Sequence, residues 1–218
     1  MLDNKGFDLW ADNYDKSVNL SEQNDEYPFA GYKNVLNMIY NEIRGTKTRK
    51  TVSPKLPKVL DIGFGTGVLT EKLYNDGYDI TGVDFSHKMI EIASLKMPKA
   101  RLIECDFSKG FLNALLHEKF DYIISTYALH HLTDKFKADF LNELHMNLNQ
   151  NGKIIIGDVS FTTRELLEKC REKYKDLWDD DEFYFVYEEI KGKLNFPVKR
   201  YISISHCAGV LLLANQMI

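Results

Sequence analysis

Val59-Leu60-Asp61-Ile62-Gly63-Phe64-Gly65-Thr66-Gly67 decides how the rest of this chain is read. An apolar run of strand length, Lys58–Ile62, passes into three spaced glycines and then into a helical pattern, Val68–Tyr74. Glycine lacks a Cβ and adopts left-handed backbone angles readily. Glycines between a strand and a helix therefore permit a tight turn and the close approach of a ligand to the backbone. Such turns also arise for steric reasons alone, so a second signal is needed. Asp84 supplies it, ending the next strand-like run, Asp79–Asp84. At that spacing a carboxylate is placed to hold both hydroxyls of a ribose.

Working outward, strand and helix patterns alternate. Asn75-Asp76-Gly77 closes the first helix, with Gly77 suited to a left-handed C-cap. Ser86 is placed to cap a helix carrying Met89, Ile90 and Ala93, and Pro98 ends it. Further strands are expected at Ala100–Cys105, Asp121–Ser125 and Lys153–Gly157. A helix near Lys135–Leu148 and a turn at Asn149–Gly152 separate the last two. Thr162-x-x-Glu165 has the form of a capping box. Two runs near the C-terminus, Lys199–Ser205 and Gly209–Ala214, suit an antiparallel hairpin at a sheet edge. The alternation predicts an α/β sandwich with a mostly parallel sheet.

The 218 residues are organised as one domain: a helical N-terminal cap at 1–45, a Thr-, Lys- and Pro-rich linker at 46–58, and a core at 59–218. With 44% apolar residues the chain can fill a core. Its net charge of -4 argues against a duplex nucleic-acid partner, which a basic surface would attract. No apolar run approaches the ~20 residues of a membrane helix, and the first residues lack a signal-peptide core. A cytoplasmic location is therefore expected. Cys105, Cys170 and Cys207 fit free thiols rather than a zinc or disulfide framework.

The glycine turn admits two ligand classes. A nicotinamide dinucleotide would set its pyrophosphate on the helix N-terminus. Asp61 opposes that, because its carboxylate would repel a pyrophosphate yet assist an ammonium group. The glycines also read G-x-G-x-G rather than G-x-G-x-x-G. Both features favour S-adenosylmethionine, whose tail carries an ammonium group and no phosphate.

Five segments in order, Leu60–Thr70 (LDIGFGTGVLT), Thr81–Ala93 (TGVDFSHKMIEIA), Ile103–Phe107 (IECDF), Phe120–Leu132 (FDYIISTYALHHL) and Asn151–Phe161 (NGKIIIGDVSF), resemble the successive motifs of class I S-adenosylmethionine-dependent methyltransferases. The resemblance spans about Lys58 to Ser160, nearly half the chain. It implies a Rossmann-like three-layer fold with a seven-stranded sheet whose last strand is antiparallel. It also implies S-adenosylmethionine as cofactor and S-adenosylhomocysteine as product. Carried over by residue, Asp61, Gly63, Phe64 and Gly65 would surround the methionine tail and Asp84 would hold the ribose. Phe85 and Met89 would border the adenine, Asp106 would bond its amino group with Phe107 beside it, and Ser125 and Tyr127 would lie near the sulfonium. The Trp10-Ala11-x-x-Tyr14-Asp15 pattern resembles the family's cap and would turn Tyr14 towards the sulfonium or the tail.

Methyl transfer from a sulfonium needs alignment in a dry site, and a base only when the nucleophile carries a proton. His131 and His130, after the fourth strand, are the candidate catalytic residues. No set of acids for a magnesium site stands out: Asp158 looks isolated, and Asp179-Asp180-Asp181-Glu182 reads as a solvated run. No metal is therefore expected. The aromatics Trp178, Phe183, Tyr184, Phe185 and Tyr187 either line an acceptor pocket or belong to the core. A small organic acceptor is the favoured partner. A tRNA or protein acceptor, for which Lys47, Arg49, Lys50 and Lys55 would supply a basic surface, and a non-catalytic cofactor binder or dinucleotide oxidoreductase are the alternatives.

Overall fold

The computed structural model describes residues 25–47, 56–109 and 115–216. Tyr14, the rest of the proposed N-terminal cap up to residue 24, and most of the 46–58 linker lie outside them. Helix α1 spans Tyr32–Lys47, followed by β1 (Lys58–Ile62), α2 (Val68–Asn75), β2 (Asp79–Asp84), α3 (His87–Lys96), β3 (Arg101–Glu104) and β4 (Phe120–Thr126). The second half holds α4 (Asp134–Leu144), β5 (Leu148–Phe161), α5 (Arg164–Lys173), β6 (Phe185–Val186), α6 (Tyr187–Ile190), β7 (Val198–Ser203) and β8 (Ala208–Ala214).

The strands form one sheet in the order β3-β2-β1-β4-β5-β8-β7, with the two-residue β6 paired to the end of β5. Strands β1 to β5 are mutually parallel. Strand β8 enters antiparallel to β5, and β7 pairs antiparallel with β8 at the edge. This is the mostly parallel sheet with a terminal hairpin that the alternation and the resemblance predict.

Alternation along the strands builds two cores, because successive side chains point to opposite faces. Val59, Tyr122, Ile124, Ile155 and Val210 pack on one face with Val35, Ile39 and Ile43 of α1 and Leu69 and Leu73 of α2. Leu60, Ile62, Ile123, Ile154 and Leu211 pack on the other face with Phe140, Leu141 and Leu144 of α4. Helix α1 thus belongs to the core rather than only to a cap. It lies so close to β5 that a Cβ on Gly157 would stand 2.3 Å from Val35 Cγ1.

Local signals mostly act as read. Ser86 Oγ accepts from Met89 N–H (3.2 Å), and Gly77 takes φ +82° after α2. The helix after β5 differs: its cap is Thr163, whose side chain accepts from Leu166 N–H. The Thr162 carbonyl instead accepts from Glu188 N–H (3.2 Å), and β5 runs on to Phe161. Strand β5 is also longer than its apolar stretch suggests. Phe120 pairs with Leu148 and Tyr122 with Lys153, so the predicted turn Asn149–Gly152 bulges out between them.

Candidate active site

The carboxyl ends of the parallel strands converge where the strand order reverses between β1 and β4, the usual place for a ligand crevice in such sheets. A cavity of about 440 Å³ opens there. The first wall is the glycine turn. Gly63 has φ +70°, and a Cβ there would lie 2.4 Å from Ala128 Cβ, so no larger residue fits. Gly65 has φ +57° with open space where its Cβ would be. Its backbone N–H donates to Asp84 Oδ2 (2.8 Å), while Ser86 N–H donates to Oδ1 (2.9 Å). Asp84 therefore shapes the turn as well as facing the cavity.

Asp61, at the penultimate position of β1, is 1% exposed. Thr70 Oγ1 donates to its Oδ2 (2.5 Å). Its Oδ1 is buried without a hydrogen-bond partner among the described residues, although Asp61 lines the cavity. Burial, and secondarily the nearby Asp84, push its carboxyl up to about 7 against the pull of Thr70. A cationic ligand group bonded to Oδ1 would remove this cost, because a buried carboxylate is stabilised by an opposite charge.

Phe64, Phe85, Met89 and Phe107 give the cavity an apolar flank. Opposite them stand Phe29, Tyr32 and Tyr127, whose rings pack on one another at 5.1–6.0 Å. Tyr127 has φ +51°, uncommon for a residue with a large side chain. Its N–H is held by Gly157 O (2.8 Å), and so the ring leaves the end of β4 towards the cavity rather than continuing the strand.

Two residues expected at the ligand, Ser125 and Asp106, are bonded within the fold. Ser125 is buried in β4 and donates to Ile62 O (2.7 Å), tying β4 to β1. Asp106 accepts from Ser108 N–H (3.0 Å) and pairs with Lys109 (2.8 Å). Burial works against its charge, but these partners prevail and hold its carboxyl below the usual range. Neither residue is among those lining the cavity.

The far end of the cavity is polar. His130 and His131 lie on a short 3-10 turn, Leu129–His131, after β4. Asp158 lies within β5, and its Oδ2 accepts from the backbone N–H groups of Leu129 and His130 (3.1 and 3.2 Å). Its Oδ1 accepts from His130 Nδ1–H at 2.6 Å. This bond fixes the tautomer and leaves His130 Nε2 as the atom towards Glu182, 3.6 Å away. Burial alone would lower the His130 pKa, but the Asp158 carboxylate overcomes it and the net shift is upward. His131 is pushed down to about 2 by burial and by the charge of its neighbour.

Sequence reading missed two members of this end. Asp158 looked isolated because its partner is 28 residues earlier in the chain. Glu182 belongs to the acidic run read as solvated, yet Asp179, Asp181 and Glu182 line the cavity. The nearby aromatics do not: Trp178 stacks on Tyr27 (5.1 Å), Tyr187 stacks on Tyr201 (5.2 Å), and Tyr184 and Phe185 are buried in the two cores. The segment is pinned by Phe183 N–H, which donates to His130 O (2.7 Å), and by the buried Lys137 ammonium, which donates to Phe183 O.

The sheet order, the glycine turn and the acids ending β1 and β2 define a Rossmann-like nucleoside-binding fold of the methyltransferase type. A family profile described as a methyltransferase domain matches residues 59–152. An uncharacterized methyltransferase of Alkaliphilus oremlandii is 32% identical over 190 residues, covering 87% of this chain and 81% of that protein. A second uncharacterized methyltransferase, from Bacillus cereus, is 34% identical over 171 residues, covering 78% and 73%. Among solved structures, the magnesium protoporphyrin IX methyltransferase of Synechocystis with bound S-adenosylhomocysteine superposes with a TM-score of 0.64 at 17% identity, covering 86% of this chain and 85% of that one. The chain belongs to the class I S-adenosylmethionine-dependent methyltransferases and is an enzyme of that family.

Among the described residues, no helix is long and apolar enough to cross a membrane.

Proposed function

We propose that this enzyme binds S-adenosylmethionine along the glycine turn and transfers its methyl group to a small acceptor at the His130 end of the same cavity. The cofactor supplies a methyl group already activated on a sulfonium. Asp61 Oδ1 is the observation that carries the cofactor's placement. It is a buried carboxylate oxygen, unbonded among the described residues, beside the glycine turn, and it suits the ammonium of the methionine tail. Asp84 lines the same cavity at the end of β2, and its carboxylate suits ribose hydroxyls. Phe85, Met89 and Phe107 offer the apolar surface an adenine needs. Phe29, Tyr32 and Tyr127 add further aromatic surface to the same cavity.

The acceptor's class follows from size and charge. A volume of about 440 Å³ is within the range of small-ligand pockets, and the cofactor would fill much of it. The wall nearest the histidines carries Asp179, Asp181 and Glu182. Those carboxylates would repel the phosphates of a nucleic acid, which favours a small, uncharged or cationic acceptor over tRNA. Calorimetric titration with S-adenosylhomocysteine, on wild type and Asp84→Asn, tests this reading. Micromolar binding weakened at least tenfold by the substitution is expected; no binding by wild type would sink it.

A further inference from the structure

Three ligand-type atoms of different residues meet at the acceptor end. His130 Nε2 lies 3.6 Å and His131 Nδ1 lies 3.8 Å from the same Glu182 Oε1, and all three atoms lie within 4.8 Å of one another. An ion bound tetrahedrally through bonds of about 2.0–2.1 Å separates its ligands by about 3.4 Å. Two of the separations are within a few tenths of an ångström of that value. The third, between the two imidazole nitrogens, is no more than 4.8 Å.

The donors are held in place from behind. Asp158 Oδ1 accepts a hydrogen bond from His130 Nδ1–H (2.6 Å), which orients the ring with Nε2 towards Glu182, as in carboxylate–histidine–metal arrangements. Tyr184 Oη donates to Glu182 Oε2 (2.7 Å), leaving Oε1 as the inward oxygen. Phe183, the next residue, is fastened through both its N–H and its C=O. Nothing in the cofactor reading calls for this convergence of two nitrogen atoms on one carboxylate oxygen.

We propose that His130 Nε2, His131 Nδ1 and Glu182 Oε1 form a binding site for one divalent transition-metal ion, through which a hydroxyl oxygen of the methyl acceptor is held. Two imidazoles and one carboxylate suit zinc, cobalt or ferrous iron and leave at least one position open. The role as acceptor holder rests on the methyltransferase reading above, whereas metal binding itself does not. The ion lowers the pKa of an acceptor hydroxyl bound to it. The acceptor's proton passes to water, its lone pair forms the new bond to the methyl carbon, and the carbon–sulfur bond breaks with its electron pair remaining on sulfur. The acceptor class is thereby narrowed to small molecules that ligate metal, such as a hydroxyl beside a carbonyl.

Protein stripped with a chelator is titrated with Co²⁺ while visible absorption and heat are recorded. One Co²⁺ per chain, with the d–d bands of a four- or five-coordinate ion, is expected. Affinity should fall at least tenfold in His131→Ala, in the milder His131→Gln and in Glu182→Gln. Asp158→Asn should weaken binding about 10- to 100-fold. His87 contacts Glu91 and Glu104 on the surface, so His87→Ala is the control for chance capture and should change nothing. The absence of saturable Co²⁺ binding by wild type overturns the proposal, as does binding that survives in His131→Ala and Glu182→Gln. S-adenosylhomocysteine titrated into the metal-free wild type reports the cofactor site separately, so failure of the two readings is distinguishable.

Discussion

Replacing Asp61 with Asn separates stability from ligand binding in this protein. Above pH 7 the Asp61 carboxylate is charged and buried, and the folded state bears the cost of desolvating it. Its carboxyl titrates at about 7 in the fold against an ordinary 3.8. At about 1.4 kcal/mol per pH unit, that interval caps the cost at about 4 kcal/mol. Asn keeps the shape, and its amide oxygen can accept from Thr70 Oγ1. Its amide hydrogens then stand where Oδ1 stood and recover none of that cost, a loss of about 1–3 kcal/mol. The ligand-free variant should therefore be more stable than wild type at pH 8 by roughly 1–3 kcal/mol, or about 2–4 °C per kcal/mol in Tm for a domain of this size. Because the folded pKa is raised, the wild-type penalty is complete above pH 7, shrinks as pH falls and is gone below about 4. The advantage of Asn must shrink from pH 8 to pH 5. Affinity for S-adenosylhomocysteine should fall about 10- to 100-fold, since an amide N–H₂ facing an ammonium replaces a charge-assisted bond worth about 1.5–3 kcal/mol. Thermal melts at the two pH values and calorimetry test both halves. An Asn variant that is less stable at pH 8, or that binds as tightly as wild type, would refute this account of Asp61.

The same carboxyl makes cofactor affinity pH-dependent. Binding an ammonium needs the charged form, so affinity for S-adenosylhomocysteine should drop by up to about tenfold per pH unit below 7, with proton release near pH 6.5. Calorimetry in buffers of different ionisation heat reads this directly, and a flat profile from pH 6 to 8 would contradict it. Gly63→Ala meets both a φ of +70° and an atom 2.4 Å away, and should cost about 2–5 kcal/mol in chemical denaturation. Gly65→Ala has open space, so it should cost only about 1–2 kcal/mol while projecting a methyl into the ligand's path and weakening S-adenosylhomocysteine binding more than tenfold. Lys137→Met leaves the Phe183 carbonyl without its buried donor. A loss of about 1–3 kcal/mol is expected, together with faster hydrogen exchange at the Phe183 amide; unchanged exchange would show that Lys137 does not pin the segment.

The fold and the glycine-turn wall of the cavity were legible in the sequence because they are written locally. A strand, a glycine turn and a helix occupy consecutive residues, and Asp61, Gly63, Gly65 and Asp84 all fall within one βαβ unit. Periodicity and turn chemistry report such short-range order directly. Asp106 and Ser125 are not written so locally: motif position suggests a ligand contact for each, while each side chain bonds to nearby groups of its own fold and is not among the residues lining the cavity. Only the tertiary structure decided the histidine end of the cavity. His130 receives its orientation from Asp158, 28 residues onward, and faces Glu182, which arrives 52 residues after it. No periodicity links these positions. They meet because β4 and β5 run side by side in register and because Lys137 and Phe183 fold an acidic run back over the strand ends. Sequence determined the strand–turn–helix unit that builds the glycine turn; the packing of distant segments determined that His130, His131 and Glu182 meet in the same cavity.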